Sequence, residues 1–302
     1  MQSPSRTTAR MLHSLIKLLR PHQYIKNGFV FLGVVFAHEW GEPDTVLAAS
    51  ITFLAFCAIA SAVYVLNDIV DVEADRRHPT KRDRPIASGK IPISSAWAIF
   101  ATAAVIALIL AAMVSTWVIG LILTYLVLNV AYSWSLKHIV ILDVFSIAAG
   151  FMLRILAGTL GLGIDPSQWL LLCGLMLTLF LGFSKRRAEL ADAAIERVPD
   201  EESTRRVLDD YSVSLLDQFI AISAACTVLA YGLYTVSAET IALHGTDGLI
   251  YTLPFVIYGI FRYLFLLHAR GAGNDTSRDL VTDPHLLATV AVWMGVTIAV
   301  LA

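Results

Sequence analysis

Apolar residues run through this chain in blocks about as long as a bilayer crossing, separated by short polar joins. The blocks fall at 25–40, 46–69, 94–114, 117–136, 141–160, 168–184, 213–237, 249–268 and 285–302. None alternates with period two, and lipid offers no partner to an open strand edge, so each block is predicted to be a helix. That makes nine crossings, with the tightest joins around Ser115 and Lys137. Upstream, Met11, Leu12, Leu15, Ile16, Leu18 and Leu19 lie at near-helical spacing while Arg10, Lys17 and Arg20 interrupt them. This pattern predicts an interfacial helix within residues 1–24, stopped by Pro21. Its apolar stretch is too short and too interrupted for a signal peptide.

Composition agrees with the pattern. Apolar residues make up 57% of the 302 residues and charged residues 15%, and mean hydropathy is +0.70. Those fractions lie outside the soluble globular range. The expected fold class is therefore an all-α integral membrane protein, with residues 1–302 forming one polytopic domain. A net charge of −2 excludes an overall basic surface of the kind that holds nucleic acid. Cys57, Cys173 and Cys226 sit inside apolar runs without metal-ligand spacing, so neither a disulfide framework nor a zinc site is indicated.

Charge in the joins orients the chain, because short cytoplasmic loops collect Lys and Arg. With the N-terminus inside, the inner segments hold 20 of the 22 basic residues. The outer joins near Glu42, Ser115, Asp165 and His244 hold none. The expectation is a cell-membrane protein with a cytoplasmic N-terminus and an outer C-terminus. The inner loops 70–93 and 185–212 are the longest, and the charged chemistry concentrates in them.

At the end of the second block stands Asn67-Asp68-Ile69-Val70-Asp71-Val72-Glu73-Ala74-Asp75. On a helix Asn67, Asp71 and Asp75 follow one another at i, i+4 and i+8, with Asp68 beside them. Carboxylates at that spacing repel unless a cation lies between them. Hard oxygen ligands without His or Cys suit Mg2+, which keeps waters and bridges to phosphates. Glu73 points elsewhere. Nearby, His78-Pro79-Thr80-Lys81-Arg82-Asp83-Arg84-Pro85 brings three strong cations close together between two prolines. Acid for a metal beside base for phosphate is what a metal diphosphate needs. The plainer reading of either stretch alone is a solvated helix end.

Asn-Asp-x-x-Asp-x-x-x-Asp at this place resembles the first aspartate-rich motif of the UbiA superfamily of intramembrane prenyltransferases. Tyr132-Ser133-x-x-Leu136-Lys137 before Asp143, and Arg154-x-x-Ala157-Gly158, extend the likeness. The resemblance implies a bundle with a central cavity open to the cytoplasmic face and, sideways, to lipid. Prenyl-diphosphate users in the superfamily carry a second acidic motif after the sixth helix. This chain has Ser184-Lys185-Arg186-Arg187-Ala188-Glu189-Leu190-Ala191-Asp192 there, which is predominantly basic. With Arg20-Pro21-x-x-Tyr24-x-Lys26-Asn27 and the run Asp71 to Ala87, it resembles the decaprenyl-phosphate phosphoribosyltransferase branch.

That branch implies transfer of 5-phosphoribose from phosphoribosyl pyrophosphate to a polyprenyl phosphate. The expected catalytic and metal-holding residues are Asn67, Asp68, Asp71 and Asp75. The expected phosphate-binding set is Lys26, Lys81, Arg82, Arg84, Lys137, Lys185, Arg186 and Arg187, joined by Arg154, Tyr132 and Glu189. The acceptor phosphate is already anionic, so no dedicated general base is required. Arg154 also reads as a structural partner of Asp143 inside the membrane. Two rival readings remain: transfer of a prenyl chain to an aromatic acceptor, and a transporter, whose binding groups would lie nearer the midplane.

Overall fold

A computed structural model describes residues 4–196, 206–273 and 276–301. Among these residues the secondary structure is helical throughout, without strands. The chain opens with α1 (Pro4–Leu19), a 3₁₀ segment (Pro21–Val30) and the short α2 (Phe31–Phe36). Then follow α3 (Pro43–Val70), α4 (Val72–Arg77), α5 (Ile93–Ala112), α6 (Thr116–Trp134), α7 (Leu142–Ala157) and α8 (Gln168–Glu196). The last part comprises α9 (Val213–Val236), α10 (Ala238–His244), α11 (Leu253–Ala269), α12 (Thr276–Thr282) and α13 (Pro284–Leu301).

Local sequence sets most of these boundaries. Pro43 occupies the first turn of α3, where its missing N–H leaves no bond unmade. Ser115, Ser212 and Ser237 cap α6, α9 and α10 by accepting from Val118 N, Leu215 N and Thr240 N. The tight joins at Ser115 and Lys137 do separate distinct helices.

Among the described residues, eight helices are long and apolar enough to cross a membrane. The block at 25–40 is different: it is built as the 3₁₀ segment plus α2, not as one continuous helix. Tertiary contact explains why. Asn27 is buried and held by Arg154, and the segment lies against α7 so closely that side chains are excluded. A Cβ on Gly158 would stand 1.8 Å from Val30 O, and one on Gly33 2.0 Å from Gly158 O. Small residues at helix crossings permit this approach. Drawn out at about 2.0 Å per 3₁₀ residue and about 1.5 Å per α residue, the pair reaches roughly 29 Å, close to one hydrocarbon thickness.

Two apolar cores organise the bundle. One joins α3, α5, α6 and α7 around Phe56, Ile59, Ile122 and Tyr125; the other joins α7, α8, α9 and α11 around Phe180, Phe183, Ile220 and Tyr263. Helix α7 therefore serves both. A smaller cluster of Leu18, Val65, Val72, Ile86 and Ile91 fastens α1 and the 78–92 segment beneath the end of α3. Leu54, Ile109, Trp117, Val127, Leu229 and Phe261 are exposed. Such apolar exteriors are lipid-facing surface. On α1, Met11, Leu12 and Ile16 are exposed while Leu18 is buried, as in a helix lying along an interface.

The expected loops contain more helix than loop. Residues 72–77 are α4, and α8 continues through the polar stretch to Glu196. Arg197 and Arg205 of the 185–212 loop lie outside the described residues.

Candidate active site

Helix α3 ends at Val70, yet Asp71 N still donates to Asn67 O (2.9 Å) and Asp75 N to Asp71 O (2.8 Å). The helical spacing of the acidic stripe thus survives the joint with α4. Its members divide between two sets of partners. Asp68 and Asp75, both buried, face α1 and the basic segment: Arg20 Nη2 donates to Asp68 Oδ1 at 2.6 Å. Arg84 Nη1 donates to Asp68 Oδ1 at 3.0 Å and to Asp75 Oδ2 at 2.7 Å. Asn67 and Asp71 face the end of α6. Ser133 Oγ donates to Asn67 Oδ1, and Lys137 Nζ lies 3.2 Å from Asp71 Oδ1. Glu73 turns to solvent with Arg76, as its phase predicts.

This revises the picture of Asn67, Asp68, Asp71 and Asp75 sharing one face around one ion. Asp68 is buried, and its Oδ1 accepts from two guanidinium groups. Among the described residues no three His, Cys, Asp or Glu side chains form a metal cage. Magnesium does not require one, since it binds through one or two carboxylates plus waters and substrate oxygens. Asp71, with a side chain 39% exposed, fits such a substrate-shared site; Asp75, one turn on, is buried with its Oδ2 on Arg84.

The basic segment is fixed by its apolar residues. Ile86 and Ala87 are buried, and Ile86 packs on Leu18 and Val65. Arg76 Nε donates to Ala87 O and Lys17 Nζ to Asp83 O. Thus Arg84 turns inward to the acids, while Arg82 stays exposed beside Lys81.

On α8, three successive cations enter three environments. Lys185 is about one-third exposed, with Glu189 at 3.9 Å. Arg186 is fully buried: Nε donates to Asp143 Oδ2 at 2.6 Å, Nη1 to Glu189 and Nη2 to Tyr132 Oη at 3.1 Å. Arg187 Nε donates to Asp217 Oδ1 at 2.5 Å, and His268 Nε2 stands 3.3 Å from the same oxygen. A phosphate contact from Arg186 therefore gives way to a bracket joining α6, α7 and α8. Arg187 likewise joins α8 to α9, and Glu189 and Tyr132 serve that bracket.

Arg154 also departs from expectation. It lies about 18 Å along α7 from Leu142, too far for a phosphate held beside Asp71 and Lys137. Its guanidinium donates to Asn27 Oδ1 (2.7 Å), Gly150 O (2.7 Å) and Tyr125 Oη (3.1 Å). The rings of Phe56, Tyr125 and Phe151 surround it at 4.7 to 5.5 Å. Cation–π contact and carbonyl acceptors take the place of a carboxylate. Asp143 pairs with Arg186 instead.

A cavity of about 440 Å³ lies between the 3₁₀ segment, α8, α9, α11 and α13. Gly28, Phe29, Leu177, Tyr231, Tyr263 and Trp293 line it, and its described lining contains no charged residue. The cavity is thus apolar. Arg20, Ser133 and Tyr211 join the site without having been singled out. Arg20 at least precedes Pro21 inside a motif; Tyr211 carries no signal in its surroundings.

Intramembrane helices ending in an acidic stripe beside lysines and arginines define a lipid-embedded transferase fold. Residues 28–282 match the UbiA prenyltransferase family, and the chain belongs to it. It is 33% identical over 296 residues to a decaprenyl-phosphate phosphoribosyltransferase of Mycolicibacterium smegmatis, covering 94% of this chain and 91% of that protein. A decaprenyl-phosphate phosphoribosyltransferase of Corynebacterium glutamicum is 35% identical over 288 residues, covering 93% and 84%. Among solved structures, a UbiA homolog from Archaeoglobus fulgidus bound to GPP and Mg2+ superposes with a TM-score of 0.70 at 18% identity, covering 95% and 99%.

Proposed function

We propose that this protein is a membrane phosphoribosyltransferase that moves 5-phosphoribose from phosphoribosyl pyrophosphate to a polyprenyl phosphate of the decaprenyl type. What supports the reading is 33% and 35% identity, over nearly the whole chain, to two enzymes of that name, in a chain whose α8 begins its polar stretch with Lys185-Arg186-Arg187.

The residues divide the task. Lys26, Lys81, Arg82, Arg84, Lys137 and Lys185 supply cations for the donor and acceptor phosphates. Asp71 and Asp75 would hold Mg2+, which when bound neutralises charge on the departing pyrophosphate. An oxygen of the lipid phosphate attacks C1 of the ribose. The bond from C1 to the pyrophosphate oxygen breaks, and its electron pair leaves with pyrophosphate. The product is a polyprenyl-phosphoryl 5-phosphoribose. No proton must be taken from the nucleophile, which agrees with the absence of a general base among the groups named. The apolar cavity accommodates part of the isoprenoid chain beside the polar end of the bundle.

The distribution of basic residues supports a plasma-membrane protein with a cytoplasmic N-terminus and an outer C-terminus. The donor, a soluble sugar phosphate, would then arrive from the cytoplasm.

The test is incubation of membranes containing the protein with ribose-labelled phosphoribosyl pyrophosphate and polyprenyl phosphate. Label should enter the lipid fraction and require Mg2+. No incorporation, together with prenyl transfer to 4-hydroxybenzoate, would falsify the reading in favour of the aromatic prenyltransferase.

A further inference from the structure

Between α6 and α7 the chain makes a turn that its sequence disfavours. Leu142 N donates to Val140 O at 2.8 Å, and the residue between them, Ile141, has φ 68° and ψ −46°. This is the positive-φ γ-turn, rare and strained for any L residue and worse for a β-branched one. The Ile141 side chain offers little in return, being 41% exposed.

Tyr211 holds the turn from 70 residues away. Its hydroxyl accepts from Ile141 N at 2.7 Å and donates to Asp143 Oδ1 at 2.8 Å. Burial raises the phenol above its usual pKa, so the hydroxyl keeps the proton it donates. Asp143 is wholly buried, and its other oxygen is held by Arg186 Nε at 2.6 Å. The phenol is therefore fixed between a backbone amide under strain and a carboxylate that cannot move.

The same short connection carries Lys137. Its residue lies in the 3₁₀ turn Leu136–His138, which begins at the end of α6 and runs directly into the γ-turn. Asp143 N donates to Ile139 O at 3.0 Å, closing the connection onto α7. With α6 fixed at one end, the direction of the connection depends on how Ile141 is held at the other. Lys137 Nζ then reaches Asp71 Oδ1.

We propose that Tyr211 is a positioning residue: by clamping Ile141 in the γ-turn it sets the path of residues 136–140 and keeps Lys137 on Asp71. Its substrate context rests on the phosphoribosyltransferase reading; the clamp itself does not.

Two readouts on the purified full-length protein test this separately. Tyr211→Phe should speed amide hydrogen exchange across residues 136–143, whatever the protein catalyses. It should also lower kcat/KM by ~10²-fold, the scale of a misplaced binding group. Adding Ile141→Gly should restore most of that loss, because glycine adopts φ 68° without strain. In a Lys137→Ala background, Tyr211→Phe should cost almost nothing more.

Unchanged exchange in Tyr211→Phe would overturn the clamp. So would losses from Tyr211→Phe and Lys137→Ala that multiply, or a failure of Ile141→Gly to rescue, either of which would mark Tyr211 as generally structural. If the wild-type protein transfers no phosphoribose, the functional reading fails while hydrogen exchange still decides the role of Tyr211.

Discussion

Lys137 Nζ stands 3.2 Å from Asp71 Oδ1, so the basic end of α6 and the acidic stripe of α3 already meet as a pair. The pairing is half open to solvent, unlike the Arg84–Asp75 contact beside it, whose acid is buried. A substrate phosphate can compete for Lys137 and leave Asp71 to a metal. Asp71→Ala and Asp75→Ala should each lower kcat by ~10²-fold or more, the usual effect of removing a group that stabilises developing charge. Glu73→Gln, at an exposed position paired with Arg76, should stay within about 0.5 kcal/mol of wild type in stability and activity. Steady-state kinetics on the three variants check this; equal losses would show that the stripe does not face as described.

Arg186 and Lys185 should behave in opposite ways although they are neighbours. Arg186→Gln leaves Asp143 buried without its cation, and breaking such a pair costs about 3–5 kcal/mol. Thermal unfolding in detergent should therefore reveal a large loss of stability. Lys185→Gln should leave the melting temperature nearly unchanged and raise KM for the phosphoribosyl donor.

Gly28 lines the apolar cavity, and a Cβ placed there meets nothing within 4 Å. Gly28→Leu should fill part of that space without distorting its surroundings. Activity on a long polyprenyl phosphate should fall, activity on a short-chain phosphate should persist, and KM for the donor should not change. Comparison of acceptors of graded length checks this.

Arg262 holds Asp283 at the start of α13, with Nη2 2.7 Å from Oδ2, and the Asp283 carboxyl is lowered to about 2. A depressed acid stabilises the fold above its unfolded pKa and loses that contribution as pH falls through its folded value. The melting-temperature difference between wild type and Asp283→Asn should therefore be constant near neutrality. It should shrink as pH drops from 3.8 towards about 2.

Much of the bundle was legible because a crossing helix needs a long apolar run, which α3 and α9 display directly. The first block misled because its conformation is decided elsewhere: Gly33 meets Gly158, and Asn27 meets Arg154. Apolar length says nothing of either contact. At the site, helical spacing carried the stripe from Asn67 through Asp71 to Asp75, but it could not say that Asp75 would side with Asp68 through Arg84, which folds back to share Asp68 with Arg20. That depends on how Ile86 and Ala87 seat the segment. Lys185, Arg186 and Arg187 point about 100° apart on α8, so a basic run that reads as one feature supplies a partly exposed cation, a buried bracket and a link to α9. Tyr211 was invisible, since its importance lies in a backbone angle at Ile141.

The most direct test of the account follows the phosphorus of the acceptor. Polyprenyl phosphate labelled in its phosphate should be incubated with the protein, Mg2+ and unlabelled phosphoribosyl pyrophosphate, and the products separated. If the lipid phosphate oxygen attacks the ribose, all label stays in the lipid, now in a phosphodiester, and the released pyrophosphate carries none. Label released into the aqueous phase would mean that the acceptor phosphate had left the lipid instead of attacking the ribose, contradicting the assignment.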